Sequence, residues 1–181
     1  MTDRSTLVAY FSHSGNTRVL AHQIHDIADG DVFEIDPVDQ YPREYNAVVG
    51  QARLELDREF LPELKTKVAD MDSYDVMFIG YPNWWGTIPR PVASFLSAYD
   101  LSGKTIVPFC THEGSGLGRS EADIQGLCPR STVPEGLAIR GSRVHDADEL
   151  VRLWLRERGW HSNPVPPGTH GSENHSNVVE I

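Results

Sequence analysis

Three loops hold the residue types from which a chemical site could be built. The first is "SHSGNT", Ser12 to Thr17, directly after the apolar run Leu7–Phe11. If a helix opens there, its first backbone N–H groups point outward without intrahelical partners, and its dipole favours an anion. Ser12, Ser14 and Thr17 each bring a hydroxyl, Gly15 lets the backbone curl close to a ligand, and Asn16 tolerates a tight turn. His13 is the one residue of the stretch that can carry a charge. The pattern suits a phosphate monoester. It lacks the GxxxxGK[ST] of a Walker loop and the GxGxxG of a dinucleotide fingerprint. Helix capping alone needs one hydroxyl residue, and here there are three.

The second loop runs Tyr81-Pro82-Asn83-Trp84-Trp85-Gly86-Thr87-Ile88-Pro89. Adjacent residues of an extended segment point to opposite sides. One tryptophan can therefore pack inward while the other shows a flat face to a planar ligand. Gly86 and Thr87 offer backbone groups to the edge of such a ligand, and the glycine leaves a peptide free to rotate. The third loop, Thr111-His112-Glu113-Gly114-Ser115-Gly116 and onward to Gly118, combines glycines with polar side chains. Arg119 breaks the dinucleotide pattern, and Glu113 stands where a GxSxG elbow needs glycine. Neither Ser115 nor Cys110 therefore reads as a hydrolytic nucleophile. A phosphate nest, an aromatic face and a polar rim together match flavin mononucleotide, FMN: a phosphate, a flat ring and a ring edge of donors and acceptors.

Five short apolar stretches must position these loops: Leu7–Phe11, Val32–Ile35, Val76–Gly80, Ile106–Phe109 and Leu137–Ile139, all expected as buried strands. Helices are expected over Thr17–Ala28, Asn46–Arg58, Pro91–Ala98, Ser120–Leu127 and Asp146–Arg158. In the last, Ala147, Leu150, Val151 and Trp154 form the expected buried side. Asp36 to Lys67 reads as a loop, Pro37–Tyr45, then one helix, then a poorly patterned segment. Strands alternating with helices imply βαβ units and a parallel sheet, with ligands beyond the strands' carboxyl ends. Residues 1–161 are expected to form one domain, and the Pro-, Gly- and Asn-rich 162–181 a polar, flexible tail.

The net charge of −10 argues against nucleic acid, whose phosphates need a basic face. No apolar run reaches membrane-spanning length, and Met1–Ser5 lacks the apolar stretch of a signal peptide, so a cytoplasmic location is expected. Cys110 and Cys128 are expected as free thiols. The cysteine spacing, and that of His161, His170 and His175, fits no metal motif.

The pieces "LVAYFSHSGNTRVLA", "YDVMFIGYPNWWGTIPRPVASFL", "LSGKTIVPFCTHEGSGLGRS" and "VPEGLAIRG" resemble the flavodoxin-like family, in particular members with a YP-x-WWG-x-x-P loop. The first loop matches the flavodoxin pattern T/S-x-T/S-G-x-T at every defined position. The resemblance implies an α/β three-layer sandwich with a five-stranded parallel sheet in order 2-1-3-4-5, and bound FMN. Carried over, Ser12, His13, Ser14, Gly15, Asn16 and Thr17 would hold the phosphate. Pro82, Asn83, Trp84, Trp85, Gly86 and Thr87 would line one side of the ring, and Thr111, His112, Glu113, Gly114, Ser115 and Gly116 the other. The third loop departs from the family: it has His112 instead of a stacking aromatic, which leaves one ring face more open, and Glu113 adds a charge. The implied role is electron transfer through bound flavin, as a carrier between protein partners. The alternatives are an NAD(P)H-dependent quinone or nitro reductase, with a small-molecule acceptor, and a non-redox module binding another phosphorylated ligand.

Overall fold

The computed structural model describes residues 5–160. Strands and helices alternate in the order β1 Thr6–Tyr10, α1 Asn16–Ala28, β2 Asp31–Glu34, α2 Tyr45–Asp57, β3 Val76–Pro82, α3 Arg90–Ser97, β4 Thr105–His112, α4 Ser120–Leu127, β5 Leu137–Arg140 and α5 Asp148–Glu157. Short 3₁₀ helices occupy Met71–Ser73 and Gly141–Asp146. All strand pairs are parallel and the order is β2-β1-β3-β4-β5, the flavodoxin-like arrangement expected from the sequence. The expected tail, 162–181, and His161, His170 and His175 lie outside the described residues.

Side-chain alternation along the strands divides the core into two layers. Leu7, Ala9, Met77, Ile79, Ile106 and Cys110 face one way, against Val92, Phe95 and Leu96 of α3 and Ile124 of α4. Val8, Tyr10, Phe78, Val107 and Phe109 face the other, against Leu20 and Ile24 of α1 and Val151, Trp154 and Leu155 of α5. A sheet buried on both faces needs continuous apolar strands, which is how β1, β3 and β4 read. At Gly80 the packing is close enough that an added Cβ would lie 2.1 Å from the Phe109 ring.

Two expectations change. Val32–Ile35 does not form a buried strand: β2 is a short edge strand with Val32 37% exposed, while Ile35 is buried just past its end. An edge strand has a sheet neighbour on one side only, so half its surroundings are solvent. On α5, Leu150 is exposed and Leu155 is buried in its place. The 3₁₀ helix at Gly141–Asp146 takes the start of the expected helix and sets the phase of the remainder.

The long connection from Asp36 to Lys67 closes on itself. The Val38 N–H donates to the Glu63 carbonyl at 2.9 Å, the Lys65 N–H to the Asp36 carbonyl at 2.9 Å, and Lys65 Nζ pairs with Asp36 Oδ2 at 2.9 Å. The poorly patterned segment after α2 thus returns beside the loop that precedes it. This closure brings the chain after α2 back to the end of β2.

Candidate functional site

The loops after β1, β3 and β4 meet at the carboxyl edge of the sheet and enclose a cavity of about 780 Å³ with the flank of α2. Of the sequence-proposed residues, His13, Ser14, Asn16, Pro82, Asn83, Trp84, Trp85, Thr111, His112, Glu113, Gly114 and Ser115 line it. Ser12, Gly15, Thr17, Gly86, Thr87 and Gly116 do not; they support the lining from behind.

In the first loop, Ser12 Oγ accepts the N–H groups of Gly15 and Arg18, both at 3.2 Å, so this hydroxyl closes the turn. Gly15 stands at φ +97°, a left-handed conformation that β-carbon-bearing residues adopt at a cost, and an added Cβ would meet nothing within 4 Å. The N–H groups of Asn16 and Thr17 and the side chains of Ser14 and Asn16 have no hydrogen-bond partner among the described residues. The result is a set of free donors around open space at a helix N-terminus. Thr17 is buried, and its hydroxyl is shared with the Thr111 hydroxyl at 2.8 Å.

Thr111 ties the three loops together. Its hydroxyl holds the first loop through Thr17, and its carbonyl accepts the Asn83 N–H of the second at 2.8 Å. Asn83 Nδ2 then donates to the Gly116 carbonyl at 2.6 Å, which also accepts from Cys110 Sγ at 3.4 Å. The reverse amide orientation would set two carbonyl oxygens against each other, so this one is fixed. It leaves Asn83 Oδ1 buried with no partner. The Gly86 carbonyl accepts the Arg119 N–H at 2.8 Å, and Thr87 bonds the Asp123 carboxylate. Gly118 sits at φ +58°, and a Cβ there would lie 2.3 Å from the Gly86 carbonyl oxygen.

The two tryptophans divide, one inward and one outward, but through a tight turn and not through the alternation of an extended segment. Trp84 packs edge-on against Phe11 and Tyr41, with ring centroids 5.4 and 4.9 Å away. Trp85 turns outward and is 49% exposed. Reciprocal hydrogen bonds between Trp84 and Thr87, at 3.1 Å each, close a two-residue turn with positive φ at both Trp85 (+56°) and Gly86 (+77°). Positive φ is strained for a residue as large as tryptophan. The strain is held by a hydrogen bond from Trp85 Nε1 to the Val49 carbonyl at 3.1 Å and by the Arg53 guanidinium 5.3 Å from the ring centroid. The peptide joining Trp85 to Gly86 has neither group bonded among the described residues, whereas the next is held at both ends.

His112 Nδ1 accepts the Gly114 N–H at 2.9 Å, which puts the proton of the neutral ring on Nε2. His13 Nε2 donates to the Pro42 carbonyl at 2.9 Å and so joins the first loop to the segment before α2. Cys110 is free and buried, and burial, then the nearby Glu121 charge, pushes its thiol up to about 12. Burial also pushes the free Cys128 thiol up to about 11. Both stay protonated at neutral pH. Burial, and next the bonded Glu55, raises Tyr41 far above the ordinary phenol range, so it donates to that carboxylate.

Sequence reasoning missed one wall. Arg43, Tyr45, Val48, Val49 and Ala52 also line the cavity, as does Gly141. The signal was the width of the apolar stripe on α2: Val48 and Val49 are adjacent, more than one core-facing line requires. Gly141 is needed for close approach, because a Cβ there would come within 2.6 Å of the Glu113 carboxylate and 2.7 Å of Asn16 Nδ2.

Known proteins share this architecture. A family model described as Flavodoxin matches residues 5–157. A candidate flavoprotein from Bacteroides eggerthii is 31% identical and superposes with a TM-score of 0.74 over 86% of this chain and 98% of its own. Another, from Bacteroides uniformis, is 29% identical with a TM-score of 0.76 over 86% and 99%. A flavoprotein from Lactobacillus acidophilus in complex with FMN is 23% identical, with a TM-score of 0.64 over 79% and 97%. No curated protein sequence matches the chain.

Proposed function

The chain belongs to the flavodoxin family, and on that premise we propose that it is an FMN-binding redox protein. The observation that carries this reading is the donor set of the first loop: unpaired N–H groups of Asn16 and Thr17 and the free Ser14 and Asn16 side chains, gathered around open space at Gly15. A phosphate dianion satisfies such a set, and the helix dipole adds to its stabilisation. The residues present therefore fit the cofactor. Bound there, FMN supplies one- and two-electron redox chemistry.

The chain's own residues do the rest. Ser12 and Thr17 fix the phosphate loop from behind. Trp84, wedged against Phe11 and Tyr41, and Trp85, braced by Val49 and Arg53, give the ring rigid aromatic surroundings. Asn83, Thr111 and Gly116 hold the second and third loops at a set separation, so binding costs little reorganisation. The third loop brings no aromatic against the ring, only His112 with its Nε2 proton.

Two roles are compatible with that site. The α2 wall supports reduction of a small planar acceptor, with NAD(P)H as electron source, because it adds apolar surface beyond what the three loops supply. The acidic charge supports a carrier between protein partners. Residues 1–161 would be the cofactor-binding domain in either case, residues 162–181 a polar appendage, and the cytoplasm the location. Among the described residues no helix is long and apolar enough to cross a membrane.

The deciding experiment is the visible spectrum of the purified protein with mass analysis of the released chromophore. A yellow protein releasing FMN is expected. A colourless protein that also fails to take up added FMN overturns the redox reading in favour of another phosphorylated ligand. Steady-state NAD(P)H oxidation with a quinone then separates the roles, since turnover only with an added reductase overturns the enzyme reading.

A further inference from the structure

The cavity wall formed by residues 43–52 adds a cation and an aromatic rim that phosphate and ring binding by the three loops leave unused. Resting on the flavin reading above, we propose that this wall is a subsite for a planar acceptor that carries a negative charge, with Arg43 as the group that binds the charge.

The backbone leading into Arg43 is anchored. Tyr41 is buried against Phe11 and Trp84 and bonds Glu55. The Pro42 carbonyl is held by His13 at 2.9 Å. The guanidinium is exposed and, among the described residues, makes no hydrogen bond or ion pair. Arginine stays charged at any physiological pH, and its planar donors suit a carboxylate or enolate oxygen.

Two nearby carboxylates, Glu44 and Glu55, are engaged within the fold. Glu44 caps α2 by accepting the N–H groups of Asn46 at 3.0 Å and Ala47 at 2.7 Å. Glu55 accepts from Tyr41 and from Gln51 Nε2 at 2.9 Å. Glu113 also lines the cavity, with its carboxylate unpartnered among the described residues, but it belongs to the third loop and not to this wall. A free cation on a molecule of net charge −10 is thus presented at the cavity wall, where it attracts anions and orients them.

The neighbouring groups select for shape. Tyr45 is 76% exposed and offers an aromatic face beside Arg43, while Val49 and Ala52 continue the wall as apolar surface. Flat apolar surface next to one cation suits a conjugated ring with one ionised oxygen better than a neutral ring.

The test uses the FMN-loaded protein and two probes of similar shape: 2-hydroxy-1,4-naphthoquinone, ionised at pH 7.5, and neutral 2-methyl-1,4-naphthoquinone. Dissociation constants are measured by equilibrium dialysis for the wild type, Arg43→Gln and Arg43→Lys. The wild type is expected to prefer the anion. Arg43→Gln should lose about tenfold for the anion, the size of one charge-assisted hydrogen bond, and nothing for the neutral probe. Arg43→Lys should retain most of the preference. Equal binding of both probes to the wild type, or equal losses for both in Arg43→Gln, overturns the proposal. So does an Arg43→Gln effect on FMN affinity without an effect on riboflavin affinity, which would assign Arg43 to the cofactor's phosphate. An apoprotein that binds no FMN overturns the flavin reading and this proposal with it, whereas FMN binding without anion preference overturns the proposal alone.

Discussion

The two sides of the cavity are held by different kinds of contact. The loop side is cross-linked by a hydrogen-bond network of side-chain and backbone groups: Thr17 to Thr111, Thr111 to Asn83, Asn83 to Gly116, and Gly86 to Arg119. The α2 side is held by side chains: Trp85 on Val49, Arg53 on Trp85, Tyr41 against Trp84, and His13 on Pro42. A buried hydrogen-bond network fails when a member is lost, because the remaining partner is left unsatisfied. Side-chain packing at a surface tolerates substitution. The loop side is thus suited to an invariant cofactor, and the α2 side to a ligand whose identity can drift.

The largest effect should come from Gly118→Ala, on the loop side. The positive φ and the contact with the Gly86 carbonyl act together, and a loss of about 3 kcal/mol is expected. Urea denaturation measures it, and a wild-type midpoint would show that the second and third loops are not packed as described. Next is Thr111→Val, which leaves the buried Thr17 hydroxyl unsatisfied and should cost about 2 kcal/mol. The double variant Thr17→Val/Thr111→Val should cost clearly less than the sum of the two singles, because no orphan remains. Additive losses would mean the hydroxyl pair is not coupled.

Alkaline pH probes the same side through Cys110. Burial favours the neutral thiol, so the folded protein keeps a proton that the unfolded chain releases above about pH 8.5. The resulting stability is complete below that pH and is lost as pH rises toward about 12, the folded value. Each pH unit in that window should cost about 1.4 kcal/mol per buried thiol. Cys128→Ala isolates the Cys110 contribution, and denaturation under reducing conditions at pH 8.0 and 9.5 measures it; a flat profile in that variant contradicts the burial.

The smallest effect belongs to the α2 side. Gly50 is exposed within α2, and a Cβ there would meet nothing within 4 Å. Gly50→Ala should raise stability by about 0.5–1 kcal/mol through helix propensity. Cofactor affinity, followed by flavin fluorescence, should not change. A large loss of affinity would show that α2 is as tightly coupled to the cofactor as the loops are.

The loop side was legible in the sequence because its signals are local. Three hydroxyls around Gly15, paired tryptophans before Gly86 and a run of glycines after Cys110 each declare a loop chemistry within a few residues. Strands β1, β3 and β4 were legible because a sheet covered on both faces demands unbroken apolar runs. Other features depend on distant residues. The pairing of the Thr17 hydroxyl with that of Thr111, far along the chain, has no local signal. Val32 reads as core until the strand order leaves β2 at the edge.

By itself, then, the sequence determined the alternation of strands and helices, the edge of the sheet at which the three loops meet, and the hydroxyl- and glycine-rich make-up of the first loop. Those follow from periodicity and short-range residue type. Tertiary structure decided which members of each loop face the cavity, because that depends on hydrogen bonds between loops. It also brought Arg43, Tyr45 and Val49 to the site. The cause is the closure between Asp36 and Lys65, together with the grip of His13 on Pro42, which carries the segment around Arg43 to the wall of the cavity.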